Sequence, residues 1–144
     1  MAEYVPSPTE WVRKQVEVYE GSGGTKGTTL LDTGLPVIIV THIGNKTGAV
    51  RKTPLMRVTD GKNYILVGSQ GGAPTHPAWV HNLRINPDVE VRDETVVQPM
   101  RVREVEDEAE RSRLWKLAVA AYPPYAEYQD RTDRRIPVFV AERV

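Results

Sequence analysis

No cysteine occurs anywhere in the 144 residues. That absence removes disulfides, thiolate metal sites, iron–sulfur clusters and cysteine nucleophiles together. Any redox chemistry must therefore be carried by a cofactor. Net charge is missing too: 19 basic residues balance 19 acidic ones, which leaves no chain-wide attraction to nucleic acid or anionic lipid. Long apolar runs are also lacking. The longest, Leu35 to Val40, is far shorter than a membrane span, and Met1 to Glu10 has neither the cationic start nor the apolar core of a secretory signal. A soluble, cytoplasmic protein without a nucleic-acid partner is the expectation. The histidines show no ligand spacing, since His76 and His81 are five apart and would face different sides of a helix, while His42 lies in a strand-like run. No metal site is expected from that pattern. At 16.2 kDa the chain can bury a core unaided, so one structural domain is expected overall.

What is present divides readily. Trp11, Val12, Gln15, Val16, Val18 and Tyr19 recur at helical spacing, which predicts an amphipathic helix over Thr9 to Glu20 with Ser7 or Thr9 as its cap. A glycine-rich loop over Gly21 to Gly34 completes an N-terminal portion, residues 1–34, and residues 35–144 form the remainder. Pro36 to Ile43 is β-branched almost throughout and reads as a strand buried on both faces. Lys52 to Thr59 and Lys62 to Val67 flank Asp60-Gly61, a favoured turn pair, and are expected to form an antiparallel hairpin. Val89 to Arg92 and Val96 to Val105 read as another hairpin around Asp93-Glu94, and Ile136 to Ala141 as a last strand. Helices are expected over Pro77 to Asn86 and from Asp107, where Glu110 completes a capping box and Leu114, Leu117, Ala118 and Ala121 form an apolar face. Pro123-Pro124 ends the latter and starts a short helical turn. The class is α+β: about six mostly antiparallel strands in a barrel or strongly curled sheet, with flanking helices.

Three stretches carry chemistry. Gly44 to Leu55 brings Lys46, Arg51 and Lys52 near two glycines between strands, a composition suited to an anion. A solvated hairpin whose lysines keep an edge soluble is the alternative. Gly68 to Pro87 runs from a strand end through a glycine-rich turn into a helix, where unpaired N–H groups can meet a phosphate or the polar edge of a ring. Trp79 within it reads first as core packing, whereas Ser69 beside glycines is harder to assign to packing. Tyr122, Tyr125 and Tyr128, three apart, offer flat faces and hydroxyls that could wall a substrate pocket or simply pack on the barrel.

Lys46-Thr47-Gly48, Arg51-Lys52-Thr53-Pro54-Leu55, Gly68-Ser69, Gly71-Gly72, His76-Pro77, Trp79, Asn82-Leu83 and Asn86-Pro87, in this order, resemble the deazaflavin-dependent nitroreductase family from about Val37 to the C-terminus. The resemblance implies a split β-barrel that binds coenzyme F-420, an 8-hydroxy-5-deazaflavin, and passes a hydride from it to a planar acceptor such as a quinone or nitroaromatic. It implies that Lys46 and Arg51 hold the coenzyme's phosphate and acidic tail, with Lys52, Thr53 and Pro54 in support. Val67, Gly68, Ser69 and Gln70, together with Pro74, His76, Pro77, Ala78 and Trp79, would border the ring. Tyr122, Tyr125 and Tyr128 would line the acceptor site, with Ser69 placed to hydrogen-bond the substrate. Gln70 stands where some members carry lysine, which bears on acceptor choice. An FMN-binding barrel of the same class and a non-catalytic deazaflavin carrier are the rival readings. The helix over Trp11 to Glu20 is compatible with covering the pocket or touching a membrane surface, but packing on the barrel is expected because surface helices usually bury one face.

Overall fold

The computed structural model describes residues 3–30 and 33–144. The order of elements is α1 (Glu10–Gly21), β1 (Val37–Ile43), β2 (Val50–Met56), β3 (Tyr64–Val67), a 3-10 turn (Gln70–Gly72), α2 (Ala78–Ile85), β4 (Asp88–Asp93), β5 (Val96–Glu104), α3 (Glu108–Ala121), α4 (Pro124–Asp130) and β6 (Val138–Arg143). Six strands form one sheet in the order β2-β1-β4-β5-β6-β3, and every adjacent pair is antiparallel.

Alternation along the strands sorts the core. Ile38 and Val40 of β1, Val91 of β4, Met100 of β5, Phe139 of β6 and Leu66 of β3 share one buried cluster with Trp79 and Leu83 of α2. Their neighbours Val37, Ile65, Val67, Val138 and Val140 point to the opposite face and pack with Leu114 and Ala118 of α3, as a side-chain period of two requires. Strands from opposite ends of the sheet order meet in the first cluster, so the sheet is curled. Yet β2 and β3 share no ladder, and the curl stays open between them. This is the split β-barrel anticipated from the sequence.

The open seam also corrects one expectation. Asp60-Gly61 does turn the chain: the Asp60 carboxylate accepts from the backbone N–H groups of Lys62 at 2.9 Å and Asn63 at 2.7 Å, and Thr59 bridges Tyr64. The pairing stops there, because β2 is laddered to β1 along its whole length, from Val50 opposite Ile43 to Met56 opposite Val37, and β3 to β6. The turn signal was local; the choice of partner was not. Pro54 fits this arrangement, since an edge strand tolerates a missing N–H. The Asp93-Glu94 hairpin forms as expected, with Glu94 taking the positive φ of 54°. At α3 the Asp107 carboxylate accepts from Glu110 N–H at 2.9 Å, but the reciprocal half of the capping box is missing because Glu110 forms a bidentate pair with Arg103.

Helix α1 is held to the sheet by one buried tyrosine. The Tyr19 hydroxyl donates to Val37 O at 2.9 Å and accepts from Glu94 N–H at 2.7 Å, while its ring and Val16 lie on Ile39. Beside it, Glu20 binds Arg92 at 2.7 Å and also Lys52. The chain leaves through Gly24, whose φ of +88° and approach to Glu94 O, 1.8 Å from where a Cβ would stand, admit only glycine. Trp11 and Val18, expected on the apolar face, are instead 47% and 49% exposed. Parts of the loop over 21–34 lie outside the described residues. No helix among the described residues is long and apolar enough to cross a membrane.

Tyr19→Phe removes both hydroxyl bonds, leaving the buried Val37 O and the half-buried Glu94 N–H without that partner. It should cost about 1–3 kcal/mol in chemical denaturation; an unchanged midpoint would show that α1 is held by apolar contact alone.

Candidate active site

A groove of about 1250 Å³ runs along the seam, between β2, the end of β3, the start of α2 and the tyrosines of α3 and α4. Ligand pockets commonly occupy roughly 300–1,000 Å³, so this one has room for more than a single small ring.

At one end stands the β1–β2 hairpin. It is closed by Gly44 N–H to Ala49 O at 2.8 Å and Gly48 N–H to Gly44 O at 2.9 Å. Lys46 is in the turn, whereas Arg51, Lys52, Thr53 and Pro54 already belong to β2. Alternation therefore separates the cations that the sequence appeared to group. Arg51 lies opposite His42, and Lys52 lies opposite Thr41 on the α1 face. Both line the groove, but the Lys52 ammonium is committed to Glu20 and to the ring of Tyr4, 5.4 Å away. Among the described residues neither Lys46 nor Arg51 has a carboxylate partner.

Behind the hairpin is a buried polar chain. Asn45 N–H donates to Asn82 Oδ1 at 2.9 Å, Asn82 Nδ2 lies 3.3 Å from His42 Nδ1, and His42 Nε2 lies 3.0 Å from Thr53 Oγ1. Burial, aided by the Arg51 charge, lowers the His42 pKa to about 4, so the imidazole is neutral at pH 7. His42 carried one signal in the sequence, a polar residue inside an apolar strand. Asn82 entered only as part of the family motif.

Between the two ends the lining is apolar: Pro54, Val67, Pro77, Ala78 and Trp79 contribute to it, with Trp79 resting on Phe139 at 5.8 Å between ring centroids. Ser69 and Gln70 line the groove as well. Ser69 is 7% exposed, and among the described residues its hydrogen bonding runs through the backbone carbonyl to Arg134. Gly68, Pro74 and His76 do not line the groove. Gly68 and His76 are tied instead to Arg134, a residue that nothing in the sequence marked out. Its guanidinium donates to Gly68 O at 3.1 Å, Ser69 O at 2.6 Å, Ala73 O at 2.8 Å and His76 Nδ1 at 2.8 Å, bracing the whole loop. His76 precedes α2 and its ring centroid is 6.0 Å from that of His81, closer than a helical placement suggested. Among the described residues no group of three His, Cys, Asp or Glu side chains could hold a metal ion.

The other end is aromatic. Tyr122 ends α3 while Tyr125 and Tyr128 belong to α4, so the three converge across the Pro123-Pro124 break and do not ride on one helix. Tyr122 and Tyr125 meet edge to face at 5.0 Å, Tyr125 and Tyr128 at 6.2 Å, and the hydroxyls of Tyr122 and Tyr128 are 3.0 Å apart. Burial, with the bond to Tyr128, raises the Tyr122 pKa to about 12, and burial raises that of Tyr125 also; both remain phenols at neutral pH. Gly72 locks this wall to the loop: at φ +80°, a Cβ there would lie 2.7 Å from Tyr128 O. The site thus pairs free cations at one end with neutral hydroxyl donors at the other, across an apolar slot suited to a flat ring.

A sequence profile described as F420H(2)-dependent quinone reductase matches residues 11–143. A curated F420H(2)-dependent quinone reductase of Mycobacterium tuberculosis is 36% identical over 133 residues, covering 88% of this chain and 85% of that protein. A solved structure of an F420-H2 dependent reductase (FDR-A) is 52% identical with a TM-score of 0.70, covering 74% of this chain and 94% of the other. Another, described as a domain-swapped dimer, is 50% identical with a TM-score of 0.72 and covers 94% of this chain and 100% of its own.

The neutral His42 has a consequence for stability. Its pKa is near 6.5 when unfolded and about 4 when folded, so as pH falls the unfolded chain binds the proton first. The stability present above pH 6.5 is then lost down to pH 4, by at most about 3 kcal/mol. His42→Gln should flatten the stability profile across that window; an unchanged slope would show that His42 does not titrate with folding.

Proposed function

The chain belongs to the F420H(2)-dependent quinone reductase family, and on that premise we propose that it is an oxidoreductase that holds coenzyme F-420 in the seam groove and reduces a planar, quinone-type acceptor. One observation carries the reading: a single groove joins Lys46 and Arg51, both without carboxylate partners among the described residues, to a wall of tyrosines in which burial holds Tyr122 and Tyr125 as phenols. The donor set suits the coenzyme. Its phosphate and acidic tail need cations and N–H groups, and its tricyclic ring needs a flat apolar slot.

When bound, the reduced deazaflavin supplies the hydride. The chain's own part is to bind, orient and shield. Lys46 and Arg51 grip the anionic tail, and Thr53 and Pro54 form the strand edge along which it lies. Val67, Pro77, Ala78 and Trp79 flank the ring and exclude water from one side. Arg134 fixes the loop carrying Ser69 and Gln70 through four hydrogen bonds, so that Ser69 presents its hydroxyl without reorganisation. Ser69, Tyr122, Tyr125 and Tyr128 face the acceptor, whose oxygen gains negative charge as it is reduced. Neutral hydroxyl donors preset around that oxygen lower the barrier. Lys52 steadies α1 through Glu20 and leaves the tail to its neighbours. Helix α1 and the residues just before it act as a cover over one side of the groove, anchored on the barrel by Tyr19.

Lys46→Ala and Arg51→Ala should each weaken F-420 binding about tenfold or more in a fluorescence titration, the loss of one charge-assisted contact, with little effect on a deazaflavin lacking the phosphate tail. Equal loss for both ligands would remove the tail from the hairpin. Tight FMN binding with none for F-420 would favour the flavin barrel.

Ser69→Ala and Tyr125→Phe should lower turnover of menadione by about tenfold while leaving the coenzyme dissociation constant within about twofold. Tyr125 is only 4% exposed and packs among Tyr122, Tyr128 and Trp115, so phenylalanine tests its hydroxyl without opening a cavity. Coenzyme binding with no acceptor ever reduced by the unaltered protein would make it a carrier.

A further inference from the structure

We infer that His42 and Asn82 are positioning residues: their buried hydrogen-bond chain makes the Thr53 hydroxyl an obligatory donor into the groove, aimed at an oxyanion of the bound ligand. The ligand's identity as the F-420 tail rests on the function proposed above; the direction of the chain does not.

The direction follows from one group that cannot reverse. A backbone N–H only donates, so the atom of Asn82 that meets Asn45 N at 2.9 Å is the amide oxygen. The amide NH2 must then face His42, 3.3 Å from Nδ1. Two N–H donors do not face one another, so Nδ1 presents its lone pair. A neutral imidazole with a free Nδ1 carries its proton on Nε2, and that proton points at Thr53 Oγ1, 3.0 Å away. Threonine's oxygen is thereby used as an acceptor, and its own proton is left to be given. Among the described residues no other hydrogen bond involves that hydroxyl. It lines the groove beside Arg51 and Asn45, so its proton is available to a ligand there.

The chain works only while the imidazole is neutral. Burial keeps it so, and Arg51, the cation opposite it on β2, acts in the same direction. An anion bound by Arg51 would therefore meet a threonine already oriented toward it. A pure donor at the same place could use only the second lone pair of Oγ1 and would leave the threonine proton ungiven. The arrangement thus favours acceptors, and phosphate and carboxylate oxygens are pure acceptors at neutral pH. It also couples three elements, because the same chain seats the hairpin on α2 through Asn45.

Two measurements decide the matter. In the protein without ligand, long-range proton–nitrogen correlation of the histidine rings, assigned with His42→Gln, should show His42 protonated at Nε2 and bare at Nδ1; the opposite tautomer would overturn the inference. In F-420 titrations Thr53→Val should weaken binding about tenfold, and Thr53→Ser should restore it. Asn82→Leu should weaken binding in the unaltered background and add little in a Thr53→Val background, because both act on one proton. Full additivity, or a Thr53→Val protein that binds as well as the original, would sink the proposal. If Asn82→Leu fails to fold, the valine and serine pair at Thr53 and the tautomer still decide. Absence of any F-420 complex with the unaltered protein would overturn the coenzyme as the recipient, while the tautomer measurement would separately judge the chain itself.

Discussion

A curled sheet that does not close governs the rest of this protein. β2 and β3 stand at opposite ends of the strand order, so an antiparallel sheet that could have become a barrel keeps a seam. Exposed edges ordinarily invite aggregation or must be covered. Here β2 carries Pro54 and three polar or cationic residues, and the N-terminal segment and the tyrosine wall stand beside it. The edge left by incomplete closure becomes the wall of a groove whose lining comes from both faces of the strand.

Two polar clusters, one buried around His42 and Asn82 and one half-buried around Arg134, hold that groove in shape, and each resolves a problem of the fold. The loop from Gly68 to His76 has little regular structure, so its carbonyls need partners; Arg134 satisfies three of them with one planar guanidinium. The β1–β2 hairpin projects beyond the sheet, and Asn82 reaches from α2 to receive its first free N–H. Buried polar groups are costly unless paired, and here the pairing also fixes where functional groups point. Stability and preorganisation come from the same bonds.

Local signals in the sequence were reliable where the physics was local. The Asp93-Glu94 turn, the Asp107 cap and the Pro123-Pro124 break all stand where their residue types demand. Expectation failed where a segment had to choose a distant partner. Lys52 to Thr59 and Lys62 to Val67 carry a sound turn between them, yet each pairs elsewhere because β1 and β6 offer longer buried ladders. Trp11 suited a buried helix face by spacing but lines the groove half-exposed. Of the cations between β1 and β2, Lys52 was diverted by Glu20, a residue 32 positions away.

The chain's residues by themselves determined the class of fold, the absence of thiol chemistry, the cation-bearing hairpin and the family, because those depend on composition, period and short motifs. Tertiary structure alone decided that Arg134 braces the ring-side loop, that His42 is neutral, and that three tyrosines on two helices converge. Those facts arise from burial and from contacts between residues tens of positions apart. Spacing along a chain carries no record of which distant group will remove water from a side chain or supply its missing partner.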